Sequence, residues 1–249
     1  MAAYAVKHYN FTTHEGFNAG IWKNDNATDN QAATDYDKKW IPGQWKVPEA
    51  YDNPASNDPW YFSTIREANY FLETVVPRFE KGEIEGSETN IKHYIGEMYF
   101  LRAKNYLSKL ETFGDFPIIK NTLPDESESL IQASKRAPRY KVAHFILEDL
   151  DQAISLLTNN ISGGKNRITK NAALLLKSRA ALFEASWLTY HKGTALVPGG
   201  PGWPGKAEDI ADFNIDTEIA FFSEGGQSGS QRSDRQCSLG TEYSKRLHG

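Results

Sequence analysis

One long run of apolar residues, spaced three and four positions apart, limits the fold more than any other feature of this chain. Because this spacing places the residues on one side of a helix, it predicts a helix over about 88–113. Gly114 follows where a left-handed residue would end such a helix, and Pro117 lies just beyond it. The apolar face is wide, which is typical of a helix packed against two neighbours. Its members are Ile91, Tyr94, Ile95, Met98, Tyr99, Leu101, Tyr106, Leu107 and Leu110.

Four other segments show the same periodicity, and it is weaker in the last of them. Asp58 and Pro59 suit the cap and the first position of the earliest helix, and Pro77 is expected to end or kink it. Thr169 is expected to cap the fourth helix along the chain. The predicted helices cover about 59–76, 138–158, 168–191 and 205–222.

The order of these helices predicts an all-α fold of antiparallel pairs, with the first helix packed on the second and the third on the fourth. Two segments, 102–106 and 179–183, both read Arg-Ala-x-x-aromatic and lie 77 residues apart. A small Ala beside a bulky aromatic residue is typical of tetratricopeptide-like stacks. A single such pair also arises by chance, so it does not establish a repeat.

The regions on either side of the helices differ in composition. Residues 1–57 are rich in Asn, Asp, Pro and Gly, which favour turns, yet they also carry aromatic residues such as Trp40 and Trp45. Since disordered segments are usually poor in aromatic residues, we expect 1–57 to be the ordered, loop-rich part of a domain that spans 1–222. The Gly-, Ser- and Arg-rich residues 223–249 are expected to form a poorly ordered tail.

The chain offers little support for catalysis, metal binding or nucleic-acid binding. A formal net charge of −4 argues against a nucleic-acid surface, and the single cysteine, Cys237, excludes a disulfide within the chain. No two histidines have a metal-ligand spacing on a helix. The acidic neighbours Glu148, Asp149 and Asp151 are assigned to a solvated helix face. We therefore predict no enzyme activity and no cofactor.

The mixture of Trp, Tyr, Asn and Asp in residues 1–57 is typical of a sugar-binding surface. A flat aromatic ring covers the apolar C–H face of a sugar, and Asn or Asp side chains bond its hydroxyl groups. The same rings would also serve as a small core beneath long loops. The sequence leaves both interpretations open for any single Trp.

Four motifs resemble those of the SusD/RagB-like family and occur in the same order. Together they span about 60–190, which is most of the predicted helical region. The chain is therefore identified as a member of this family. The motifs are Trp60-Tyr-Phe-Ser-Thr-Ile-Arg-Glu-Ala-Asn69, then Gly96-Glu-Met-Tyr-Phe-Leu-Arg-Ala103 with Phe113-Gly-Asp-Phe-Pro-Ile-Ile119, then the helix segment 140–154, and finally the helix segment 167–180.

The resemblance implies a lipoprotein on the outer-membrane surface of Bacteroidetes-type bacteria. It implies tetratricopeptide-like helix pairs as the scaffold and irregular loops as the binding face. The implied activity is non-catalytic capture of a polysaccharide or oligosaccharide, which is passed to a SusC-like TonB-dependent transporter. Family members are usually much longer, so the sequence is expected to be a fragment that lacks the lipid anchor.

In this family the glycan site draws on loops that precede the first motif helix. By position, the resemblance implies the ligand-binding residues Asp25, Asn26, Asp29, Trp40, Trp45 and Tyr51. Asp25, Asp29 and Asp35 are also compatible with calcium, although their spacing is not that of an EF-hand loop.

The polar residues within the motifs are expected to have structural roles rather than to bind the glycan. These roles are capping, ion pairing and closure of the helical hairpins. Asp115 is expected to organise the turn after the second helix. The other residues of this group are Arg66, Asn69, Arg102 and Arg179.

A second interpretation, of another class, is a cytoplasmic helical-repeat scaffold that binds peptides in its concave face. It predicts that aromatic and charged side chains line the helices. Glycan binding instead predicts two or more exposed rings within residues 22–51.

Overall fold

The computed structural model describes residues 27–28, 31–32, 41, 60–160 and 166–226. The chain divides into two units, Met1–Asn53 and Pro54–Gly249, which are described separately. In the first unit, strand β1 (Ala27–Thr28) pairs antiparallel with β2 (Gln31–Ala32), and Ala27 lies opposite Ala32. This short hairpin joins two segments of an Asx-rich stretch in which the sequence predicts only turns.

The described part of the second unit is helical, and the predicted all-α fold with tetratricopeptide-like helix pairs is confirmed. A helix over 215–226 follows a 3₁₀ turn, so it extends past the predicted boundary at 222, and the rest of the predicted tail lies outside the described residues. We label that last helix α6. The other helices are α1 (Ser63–Glu80), α2 (Glu88–Phe113), α3 (Ser127–Ala133), α4 (Arg139–Leu156), α5 (Lys170–Tyr190) and the 3₁₀ turn Ala207–Ile210.

The residues predicted to end α2 and to cap α5 have the expected roles, whereas those predicted to bound α1 do not. Helix α2 ends at Phe113, and Gly114 has the positive φ of 70° that the prediction requires. The side chain of Thr169 accepts a hydrogen bond from the Ala172 amide at 3.3 Å, as expected of a helix cap. The expectation for Pro77 is wrong in part, because α1 continues through it to Glu80. The cap predicted at Asp58 and Pro59 is wrong, because α1 begins at Ser63 with Phe62 at its N-cap position.

Helix α2 packs against both α1 and α4, and α4 in turn packs against α5. The wide apolar face of α2 is therefore explained by two neighbours, as the sequence predicts. Close packing of α2 on the end of α4 depends on Gly96. A Cβ atom at this position would lie 3.0 Å from Leu157 Cγ and 3.1 Å from Leu156 Cβ.

The fully buried ring of Phe116, just after α2, is the centre of an aromatic cluster that includes half-buried rings from the segment before α1. The ring centroids of Trp60 and Phe62 lie 4.9 Å and 5.0 Å from that of Phe116. The extended segment continues to Ile119, whose amide donates to the hydroxyl of Tyr106 at 2.8 Å. Burial raises the pKa of the Tyr106 hydroxyl to about 12, so it remains protonated at neutral pH.

A buried ion pair joins α2 and α4. The Arg102 guanidinium donates to both carboxylate oxygens of Asp149 at 2.7 Å and to the Asn69 side-chain oxygen of α1 at 2.9 Å. Asn69 in turn donates to the Ile119 carbonyl at 2.8 Å. The structural roles expected of Asn69 and Arg102 are confirmed, but the assignment of Asp149 to a solvated face is wrong. Its carboxylate is buried because Arg102 neutralises it.

Candidate functional site

The six residues predicted to bind glycan lie outside the described part of the chain. Their site therefore remains a prediction. They are Asp25, Asn26, Asp29, Trp40, Trp45 and Tyr51.

Within the described residues, one candidate site is a cleft of about 780 Å³. We call it the Trp203 cleft. Its walls come from the end of α2, the start of α4, the end of α5 and the loop that leads to the 3₁₀ turn. Two half-buried indoles, Trp187 and Trp203, contribute to its lining, together with Asp115, Arg136 and Arg139.

The loop after α5 is rigid because its backbone folds into consecutive turns. The amides of Val197, Gly200 and Trp203 each donate to the carbonyl three residues earlier, at 3.0–3.3 Å. A Cβ atom on Gly200 would lie 1.9 Å from the Thr194 carbonyl oxygen, so only glycine fits there. Val197 and Pro198 are buried, which attaches the loop to the helices.

Asp115 connects this loop to the start of α4. One carboxylate oxygen accepts from the Trp203 indole N–H at 3.0 Å, and the other accepts from the Arg139 amide at 2.8 Å. Burial raises the pKa of the Asp115 carboxyl, while the hydrogen bonds from Arg139 and Trp203 act in the opposite direction. From the sequence, Asp115 is expected to organise its own turn. Its hydrogen bonds instead reach residues distant in sequence, and one of them fixes the ring of Trp203.

Trp187 is held by a second buried ion pair. The Arg139 guanidinium donates to both oxygens of Glu184, at 2.9 Å from Nε and 2.8 Å from the terminal nitrogen. It also lies 4.2 Å from the Trp187 ring centroid, which is a cation–π contact. The Trp187 indole N–H donates to the Leu196 carbonyl at 3.0 Å. Burial raises the pKa of Glu184, and Arg139 opposes that rise.

Sequence reasoning places Trp187 on the apolar face of its helix and assigns Trp203 only to a stiff loop. It does not single out Arg139 or Glu184. A usable signal for Trp203 is its position between Pro201 and Pro204, because a large aromatic residue in a rigid surface loop is costly unless it packs or binds. The pairing of Arg139 with Glu184 spans 45 positions and has no local signal.

A second, smaller groove of about 300 Å³ lies between α1 and the segment that leads to α3. Its lining surface is largely apolar, and two of its polar members are Asn69 and Asn121. The remaining lining residues are Phe62, Ile65, Arg66, Pro117, Ile119, Leu123, Leu130 and Ser134.

The described residues contain no cluster of His, Cys, Asp and Glu with the arrangement of a metal site. None of the described helices combines the length and the apolar character that crossing a membrane requires.

Comparison with known proteins identifies the family. The model of a SusD-like family, described as "Starch-binding associating with outer membrane", matches residues 1–182, which is most of the chain. The chain therefore belongs to this SusD-like family, and the resemblance carried by the four sequence motifs is confirmed.

Solved structures of SusD-like proteins are also similar to this chain. One from Bacteroides fragilis NCTC 9343 is 30% identical, with 54% of this chain and 25% of that chain covered and a TM-score of 0.45. A carbohydrate-binding one from Bacteroides vulgatus ATCC 8482 is 20% identical, with 52% and 28% covered and a TM-score of 0.40. A laminarin-binding one is 23% identical, with 54% and 28% covered and a TM-score of 0.40.

The matched part of this chain thus spans about a quarter of the length of each of these structures. No curated protein matches it.

Proposed function

We propose that this protein binds a glycan at the bacterial outer-membrane surface without altering it and delivers it to a SusC-like TonB-dependent transporter. The observation that carries the proposal is the match of residues 1–182 to a family described as starch-binding and associated with the outer membrane. The helical frame supports it, since the buried Arg139–Glu184 pair and the Asp115 carboxylate hold Trp187 and Trp203 at the wall of a cleft.

We further propose that the loop-rich N-terminal segment supplies the main binding residues. Trp40, Trp45 and Tyr51 would stack on sugar rings, while Asp25, Asn26 and Asp29 would bond hydroxyl groups. Stacking needs only a flat ring and no reactive group. This mode of binding therefore agrees with a function that does not include catalysis.

Affinity electrophoresis of the full chain against neutral polysaccharides, including soluble starch and laminarin, tests this proposal. The parent chain is expected to be retarded by at least one of them, and Trp40→Ala with Trp45→Ala to weaken that retardation. Tyr190→Ala, which removes an aromatic residue that is 84% exposed on α5, serves as a control and should migrate like the parent. A parent chain that no polysaccharide retards would contradict glycan binding, and unchanged tryptophan variants would contradict the site.

A peptide-binding helical scaffold is the second candidate function. It is favoured by a row of exposed apolar side chains along α5, where Leu175 is 54% exposed, Leu182 is 60% exposed and Tyr190 is 84% exposed. In this case Leu182→Ala would weaken capture of a peptide and leave polysaccharide retardation unchanged.

A further inference from the structure

We propose that the Trp203 cleft is a second carbohydrate-contact site, and that it takes a short uncharged oligosaccharide or a stretch of a neutral polysaccharide. This inference rests on the proposed function, because it assumes that the chain binds glycans. It goes beyond that function in placing a contact on residues 110–209, outside the predicted loop residues.

The ring of Trp203 is fixed before any ligand arrives. Its indole N–H is bonded to Asp115, and its six-membered ring packs against Gly205, where a Cβ atom would lie 2.1 Å from the ring. Pro201 and Pro204 flank it and restrict the backbone further. Stacking on such a ring costs little side-chain conformational entropy, because the ring is already ordered. More of the contact energy therefore appears as affinity.

The size and the lining of the cleft match those of ligand sites. A volume of about 780 Å³ falls within the range of small-molecule sites, about 300–1,000 Å³. Apolar surface comes from Trp187, Leu196 and Trp203, and polar groups stand beside it, as ligand sites require. The exposed carboxylates of Glu208 and Asp209 can accept hydrogen bonds from sugar hydroxyls.

The charge of the lining residues indicates an uncharged ligand. Among the described residues that line the cleft, four are basic and four are acidic, so their formal charges cancel. The buried member of the basic set, Arg139, is already paired with Glu184, and Lys206 lies 3.3 Å from Glu208. A lining without an excess of positive charge does not attract an anionic polymer, while it still offers donors and acceptors to hydroxyl groups. The charged lining residues are Glu111, Asp115, Lys135, Arg136, Arg139, Lys206, Glu208 and Asp209.

Hydrogen–deuterium exchange of the full chain with soluble starch, laminarin or polygalacturonate tests this site without any substitution. Exchange in peptides that cover 194–210 is expected to slow with a neutral polysaccharide that binds, and to remain unchanged with the anionic polygalacturonate. Binding that leaves 194–210 unprotected would overturn the second site and leave the proposed function intact. Equal protection by polygalacturonate would overturn the assignment to uncharged glycans. If no polysaccharide binds at all, both the proposed function and the second site fail.

Variants at Trp203 provide an independent test of the same site. Trp203→Ala removes the ring and is expected to weaken affinity for the bound neutral polysaccharide about tenfold, as removal of an aromatic anchor commonly does. Trp203→Phe keeps a flat ring and should retain most of the affinity, while Tyr190→Ala is the matched control outside the cleft. Circular dichroism establishes that each variant is folded. A folded Trp203→Ala variant that binds like the parent would overturn the proposal.

Discussion

Asp149 and Glu148 are neighbours in α4 but lie in opposite environments. The Asp149 carboxylate is buried against Arg102 with two hydrogen bonds of 2.7 Å. The Glu148 side chain is 65% exposed, and its contact with Lys120 is 3.6 Å long. Two carboxylates on one helix therefore provide a matched pair of substitutions.

We expect Asp149→Ala to lower the free energy of unfolding by about 3–5 kcal/mol, because it leaves the Arg102 charge buried without its partner. Glu148→Ala removes an exposed contact and should cost no more than about 1 kcal/mol. Urea denaturation of both variants and the parent, followed by circular dichroism, measures the difference. Equal losses in the two variants would contradict the role assigned to the buried pair.

The sequence position of Asp149 carries part of the signal for its burial. It lies three residues after Ile146 and four before Ala153, which places it on the apolar face of its helix. Arg102 occupies an equivalent position in α2, four residues before Tyr106. Two opposite charges on two apolar faces predict a buried pair only once the two helices are known to face each other. That knowledge comes from tertiary packing.

His93 gives the molecule a pH dependence that can be assigned to one side chain. It is fully buried in α2, its Nδ1 accepts from the Thr158 amide at 3.3 Å, and its Nε2 lies 3.5 Å from Glu97 Oε1. Burial lowers the pKa of His93 most strongly. The Glu97 carboxylate opposes this effect, and the Arg167 guanidinium adds to it. Because its pKa is lowered from about 6.5, the imidazole is neutral at pH 7 in the folded protein.

Because the pKa of His93 is lower in the folded state, the unfolded chain binds more protons below its own pKa of about 6.5. Stability should therefore fall as the pH drops from 7 towards 5, by at most about 1.4 kcal/mol per pH unit from this group. His93→Gln removes this contribution, so its free energy of unfolding should change less over the same range. Urea denaturation at pH 7, 6 and 5 measures both slopes, and identical slopes would contradict the assignment.

At the scale of the element, the loop between α5 and the 3₁₀ turn determines the shape of the Trp203 cleft. Its turns depend on Gly200, whose missing side chain lets the Thr194 carbonyl approach. Gly193, in the same loop, has a φ of 79° but open space around it. Gly200 is therefore required because a side chain would clash there. Gly193 is favoured only because of its backbone conformation.

We expect Gly200→Ala to open the loop, since a Cβ atom would overlap the Thr194 carbonyl oxygen at 1.9 Å. Gly193→Ala costs only the strain of a left-handed residue, about 1–2 kcal/mol, and should leave the turns in place. Hydrogen–deuterium exchange of the Gly200 and Trp203 amides reports the difference. Exchange that stays at the parent rate in Gly200→Ala would mean that the loop does not need this glycine.

The sequence predicts whole helices well and their irregularities poorly. Helix α2 matches its prediction because periodicity and Gly114 act within the helix itself. Helix α3 has no buried residue and thus no apolar face to detect. The stretch predicted as one helix over 205–222 divides into a 3₁₀ turn and α6, with a break at 211–214. The cleft joins Asp115 and Trp203, which are 88 positions apart, and therefore lies beyond any local pattern.

At the scale of the whole molecule, glycan binding is proposed for two parts of the chain, the loop-rich N-terminal segment and the Trp203 cleft. Two buried ion pairs and an aromatic cluster stiffen the helices, which hold fixed rings at a cleft of balanced charge. The central claim is that the protein binds a neutral glycan and releases it unchanged.

Isothermal titration calorimetry with a neutral oligosaccharide derived from starch or laminarin, followed by chromatography of the recovered sugar, tests this claim most directly. The account predicts saturable heat on titration into the full chain and complete recovery of the oligosaccharide at its original length. Absence of saturable heat with both oligosaccharides, or recovery of shorter products, would contradict it.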